Sequence, residues 1–268
     1  MDKKFKRLLL VLILVVSLAG FFSLRVKIKN LWLNMTKEET PIAVEFNKEN
    51  RQVEQDQGLN STDQTPTSNI QTNFANKLPA SLNLDVPFTS QAPLGNWNET
   101  FKEGCEEASI MMIDRFYNQQ SFTSPETTEN EILKMVAWQK NYFGGHYDLT
   151  ISQTAEMIKN YLGYNKAEVI DNPTVEQIKE HLNQQHPVIV PAAGQELGNP
   201  NFRRPGPIYH MLVIKGYTAD KFITNDPGTR HGADYVYAYQ TVMAAMHDWN
   251  NGDDIRQGAP RIIVIYPN

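Results

Sequence analysis

Tyr209-His-Met-Leu-Val-Ile-Lys-Gly-Tyr217, then Thr218-Ala-Asp220, then Lys221-Phe-Ile-Thr-Asn-Asp226, reads as strand, short loop, strand. Both runs are rich in β-branched and aromatic residues, and the loop holds the polar residues at which a chain reverses. His210 is out of place in so apolar a strand, because a buried ring with two nitrogens needs a polar partner. If residues 218–220 form the loop, Tyr217 pairs with Lys221 and Leu212 faces Asp226, which puts Asp226 on the face that carries His210. The diagonal offset is about 7–8 Å between backbones, within reach of a carboxylate and an imidazole. A two-residue loop would shift the register and present Asn225 instead. Asp226-Pro-Gly228 taken alone would be an ordinary turn.

Further strand-like runs flank the hairpin: Pro187-Val-Ile-Val-Pro191, Asp234-Tyr-Val-Tyr-Ala-Tyr239 and Arg261-Ile-Ile-Val-Ile-Tyr266. Upstream the periodicity is helical, over residues 105–118, 125–139, 151–162 and 174–183, with Ser152 and Thr174 as start signals for the last two. Helices first and strands later make the class α+β. The first long helix opens on Gly104-Cys-Glu-Glu-Ala-Ser109 and carries Ala108, Met111, Met112 and Phe116 at helical spacing. Cys105 is the one cysteine in 268 residues, which excludes an internal disulfide and a multi-cysteine zinc site. A helix N-terminus favours a thiolate through its free amides and dipole, whereas Glu106 and Glu107 oppose one, so Cys105 needs an imidazolium partner. His210 is the histidine placed to supply it.

Outward from this part the sequence changes character. Lys3, Lys4, Lys6 and Arg7 precede an apolar run over residues 8–24, about 25 Å as helix, close to the shortest membrane-crossing length. The expected reading is an export signal, kept as an uncleaved anchor over residues 1–29, or removed to leave a secreted protein. Residues 30–81 are polar and read as a flexible tether, in which residues 40–46 could form a strand but lack an evident partner. The globular domain is expected at residues 82–268. A net charge of −5 gives no basic field, and nucleic acid is not expected as a partner. His181 and His186 do not share a helical face, so no metal site is expected there.

Leu84-Asp-Val-Pro-Phe-Thr-Ser-Gln-Ala-Pro93, Trp97, the Gly104–Ser109 motif, the Tyr209–Tyr217 strand, Ile223-Thr-Asn-Asp-Pro-Gly228 and Ala245-Met-His-Asp-Trp249 together resemble the bacteriocin-processing-like, double-glycine-type cysteine peptidases. These are a branch of the papain-like superfamily. The resemblance implies a papain-like fold, helices packed on an antiparallel sheet, with peptide or protein as substrate and no cofactor. It implies Cys105 as nucleophile, His210 as general acid and base, Asp226 as the group orienting His210, and Gln91 as an oxyanion donor. Gln91 stands further from Cys105 than the corresponding pair does in papain, and the exporters' membrane bundle and ATPase do not occur in these residues, so their leader specificity is not carried over. The same residues could serve a cell-wall peptide amidase or an acyl transferase. A silent surface-binding domain would leave all of them unexplained.

Overall fold

The computed structural model describes residues 24, 25, 27, 39–47, 78–251 and 254–268. Among the described residues, seven strands form one antiparallel sheet: β1 (Leu82–Asn83), β2 (Lys166–Asp171), β3 (Val188–Ala193), β4 (Tyr209–Tyr217), β5 (Lys221–Asn225), β6 (Tyr235–Ala238) and β7 (Arg261–Tyr266). Their order is β2-β7-β3-β4-β5-β6, and β1 pairs with the far end of β4. Among the described residues the domain's α-helices are α1 (Glu99–Lys102), α2 (Cys105–Tyr117), α3 (Pro125–Tyr142), α4 (Ile151–Leu162), α5 (Val175–Asn183) and α6 (Tyr239–Ala245). This is the α+β, papain-like architecture.

β4 is buried along all nine residues, which explains why its sequence is apolar without alternation. α2 and α5 both pack against it, and the Ser109 hydroxyl on α2 donates to the Met211 carbonyl, 3.3 Å away. Each fully buried Ile, Leu or Val side chain in this layer contributes about 1.5–3 kcal/mol. α2 is therefore fixed on the strand that carries His210.

The β4–β5 register departs from expectation at the loop. Tyr217 pairs with Phe222, not Lys221, and a bulge between Ile214 and Gly216 takes up the extra residue, so that Val213 still pairs with Asn225. Beyond the bulge the expected register holds, and Asp226 follows on the His210 side.

Three other elements differ from the sequence reading. β2 was not foreseen, because Lys166-Ala-Glu-Val-Ile-Asp171 lies at the sheet edge, half-buried and interrupted by charge. α4 is capped by Thr150, whose hydroxyl accepts from the Gln153 amide in a reciprocal capping box, rather than by Ser152. Residues 40–46 do have a partner: Val44 bridges Leu84 in parallel, and Phe46 packs its ring 5.3 Å from Phe116 and 5.1 Å from Tyr117. This part of the expected tether belongs to the same compact unit as the rest of the domain. The expected anchor over residues 1–29 lies, apart from Leu24, Arg25 and Lys27, outside the described residues. Among the described residues no helix is long and apolar enough to cross a membrane.

Candidate active site

Gly104 precedes α2 and serves as its N-cap, so Cys105 is the first helical residue. Its backbone amide is one of those that a helix's first turn leaves without an intrahelical acceptor. The side chain is buried, and Sγ donates to Glu106 Oε2 at 3.1 Å. The other carboxylate oxygen of Glu106 accepts from the Leu149 amide at 3.0 Å. Burial pushes the Cys105 thiol well above its ordinary value, and the charges of Glu106 and Asp148 add to the shift. Glu106 is itself pushed up to about 8, by burial first and then by Glu107. Asp148 is pushed up to about 9, by burial and by the charges of Glu106 and Glu103. The immediate partner of the thiol is thus a carboxyl group.

His210, on β4, is also buried, and its Nε2 lies 2.8 Å from Asp226 Oδ1. The Gly228 amide donates to the same oxygen at 3.0 Å. On Oδ2, Asp226 accepts from the Tyr237 hydroxyl at 2.6 Å and from Asn199 Nδ2 at 3.0 Å. Burial alone would raise the Asp226 carboxyl, but His210 and these donors outweigh it and hold the group below the usual carboxylate range. With Nε2 committed to Asp226, Nδ1 is the nitrogen left for a thiol proton. Phe202 lies edge-on to the ring at 5.3 Å.

A chain of contacts joins the two halves. A side chain at Gly104 would stand 3.5 Å from the Gln91 backbone carbonyl, the Gln91 backbone amide donates to the Pro227 carbonyl at 3.0 Å, and Gly228 lies directly against the His210 ring. Contacts thus run from the start of α2 through Gln91 to the His210–Asp226 pair, while the sulfur's own hydrogen bond runs to Glu106.

The model of the Peptidase C39-like family matches residues 83–254, a span that includes all four of these residues. The chain belongs to the Peptidase C39-like family. It is also similar to a crystal structure from Bacillus anthracis described as a C39-like peptidase, with 16% identity over 68% of this chain and 95% of that one and a TM-score of 0.45. No curated protein matches it.

In this C39-like family member, Gln91 is engaged differently from the sequence expectation. Its Nε2 donates to the carbonyls of Phe101, at 3.0 Å, and Lys102, at 2.8 Å, so both amide hydrogens tie down the end of α1. Gln91 Oε1 is buried without a hydrogen-bond partner. Asn225, the alternative orienting residue, spends its amide on the Val86 and Pro87 carbonyls and leaves Asp226 alone on His210. A groove of about 300 Å³ runs past Gln91 and Gly228, walled by Trp97, Phe202, Ile208 and Asp148.

Sequence reasoning missed Asn199 and Tyr237. The alternation in Tyr235-Val-Tyr-Ala-Tyr239 could have pointed to Tyr237 as an inward residue; it is buried. Asn199 sits in a loop with no pattern to mark it. Glu106 was read only as a charge opposing the thiolate, and its contact with sulfur was not foreseen.

Proposed function

We propose that this chain hydrolyses peptide bonds by thiol chemistry, with Cys105 as nucleophile, His210 as acid and base, and Asp226 as the orienting carboxylate. The observation that carries this reading is the buried His210–Asp226 pair at 2.8 Å, joined through Gln91 and Gly228 to a helix that begins with the chain's one cysteine. His210 Nδ1 takes the Sγ proton, and the thiolate attacks the amide carbonyl carbon. The developing oxyanion is met by the Cys105 backbone amide. Gln91 becomes a second donor when its amide leaves the Lys102 carbonyl. The proton on His210 passes to the leaving amine as the C–N bond breaks. Water, deprotonated by the same nitrogen, then cleaves the thioester and returns the thiol. Asp226 keeps the ring in one tautomer and balances its charge throughout.

Catalysis is further proposed to take place outside the cytoplasm, with residues 1–29 as the membrane anchor. Support comes from the basic residues 3–7 ahead of the apolar run over residues 8–24.

The test is alkylation of Cys105 in the full chain, followed by mass spectrometry between about pH 4 and 9, against His210→Ala. Rapid labelling well below the ordinary cysteine value of about 8.5, lost in the variant, is expected. Labelling that rises only near that value in both proteins overturns the proposal.

A further inference from the structure

The carboxyl group in contact with the nucleophile has no part in the mechanism above. Glu106 Oε1 is fixed by the Leu149 amide, and this leaves Oε2 on the Cys105 sulfur, 3.1 Å away. The side chain is 1% exposed, and among the described residues no Lys, Arg or His forms an ion pair with it. The groups around it are themselves acidic or already committed. Glu107, next on α2, has His146 Nε2 at 3.1 Å and a donor in Gln139. Asp148, on the loop before α4, interacts in turn with Glu103. Tyr209, on β4, gives its hydroxyl proton to the Leu149 carbonyl at 2.9 Å. His146 is held above its ordinary value: burial works against this, but the Glu107 carboxylate outweighs it. Of the two adjacent glutamates, Glu107 therefore has a basic partner and Glu106 has none.

A buried carboxylate without a cation, beside further carboxylates, takes up a proton rather than remain charged. We propose that Glu106 works as a neutral carboxylic acid whose O–H donates to the Cys105 sulfur once His210 has removed the thiol proton. This rests on the reading of Cys105 and His210 as nucleophile and base. In the step, the S–H bond breaks and the N–H bond forms on His210 Nδ1. The Glu106 hydroxyl turns onto the thiolate and keeps its own proton throughout the cycle. Glu106 is then a catalytic residue in contact with the reacting atom. It removes the electrostatic conflict at the helix start, since a protonated Glu106 no longer repels the thiolate and instead stabilises it. When Glu106 ionises, in the region of its raised value of about 8, the donor is lost, a negative charge appears beside sulfur, and the thiol keeps its proton.

The experiment measures iodoacetamide labelling of Cys105 in the full chain from about pH 5 to 10, for wild type, Glu106→Gln, Glu106→Leu and His210→Ala. In wild type the His210-dependent rate is expected to fall about tenfold on passing pH 8, before the ordinary thiol rise, which is the fold-change for losing one charge-assisted hydrogen bond. Glu106→Gln can still accept from the Leu149 amide and donate to sulfur. Its rate below pH 7 should fall less than that of Glu106→Leu, which should lose about tenfold or more, and it should show no alkaline fall. If Glu106→Gln is as slow as Glu106→Leu, or faster than wild type below pH 7, or if wild type shows no alkaline fall, Glu106 is not a neutral donor, while a persisting difference from His210→Ala leaves the nucleophile and base standing. If wild type and His210→Ala label alike, both inferences fall together. The wild-type profile against His210→Ala needs no Glu106 variant, so a Glu106→Leu chain that does not fold leaves the test decisive.

Discussion

The Asp226 carboxylate has four hydrogen-bonding neighbours, His210, Gly228, Tyr237 and Asn199, and each favours its ionised form. Its lowered carboxyl contributes stability that is present above the unfolded value and lost as pH falls through the folded one. Removing the Tyr237 hydroxyl in Tyr237→Phe should cost about 1.5–3 kcal/mol, the range for hydrogen bonds to charged groups, seen as a lower melting temperature that converges on wild type in acid. Asp226→Asn keeps the shape but not the charge and should lower kcat/KM about 10²–10⁴-fold on a cleaved peptide. Glu106 and Asp148 act with the opposite sign. The folded state holds their protons up to about 8 and about 9, where the unfolded chain has already released them, so stability falls as pH rises from the ordinary carboxyl range through those values. Thermal melts across that window should show the decline, and Glu106→Gln should show a shallower one. Cys105, His210 and Asp226 could be found in the sequence because each breaks a pattern: a lone thiol at a helix start, a ring in an apolar strand, an acid at a strand end. Asn199 and Tyr237 break none, since a loop amide and a strand tyrosine are ordinary until a fold brings them to one carboxylate.

At the level of elements, the turn after β5 is held by backbone proximity. The Asp226 amide donates to the Gly232 carbonyl at 3.0 Å, and a side chain at Gly232 would overlap the Asp226 carbonyl. Gly232→Ala should therefore shift the Asp226 carboxylate and, if the proposed triad holds, reduce peptide hydrolysis far more than it lowers the melting temperature, which comparison of the two measurements would show. β4 and β7 were legible to the residue because central strands are uniformly apolar. β2 was not, because an edge strand mixes charge with apolar residues and resembles a loop. The bulge between Ile214 and Gly216 was also hidden: hydrophobic pattern fixes which face is buried, but not where a strand takes up an extra residue.

Across the whole molecule, residues 40–47 act as a strap. Val44 exchanges backbone hydrogen bonds with Asn83 and Asp85, and the Asn47 amide donates to Gln185 Oε1 at 2.7 Å. Phe46→Ala should destabilise the domain by about 3 kcal/mol in denaturant melts while leaving Cys105 alkylation rates in the folded protein unchanged. The strap was read as tether because its few apolar residues lack partners within the local sequence. Its partners, Leu84, Phe116 and Tyr117, are far along the chain, and sequence pattern carries no information about such meetings. The order β2-β7-β3 places the strand that starts at Arg261 between two strands that start 95 residues earlier, at Lys166, and 73 residues earlier, at Val188. A growing polypeptide that has not yet delivered Arg261 holds two unjoined pieces of sheet, with β3, the neighbour of the His210 strand, bare along one edge. The sheet thus closes late in synthesis: until Arg261–Tyr266 has been made, β3 has no partner on its outer edge, so a product stalled before residue 261 carries Cys105 and His210 on an unbraced framework.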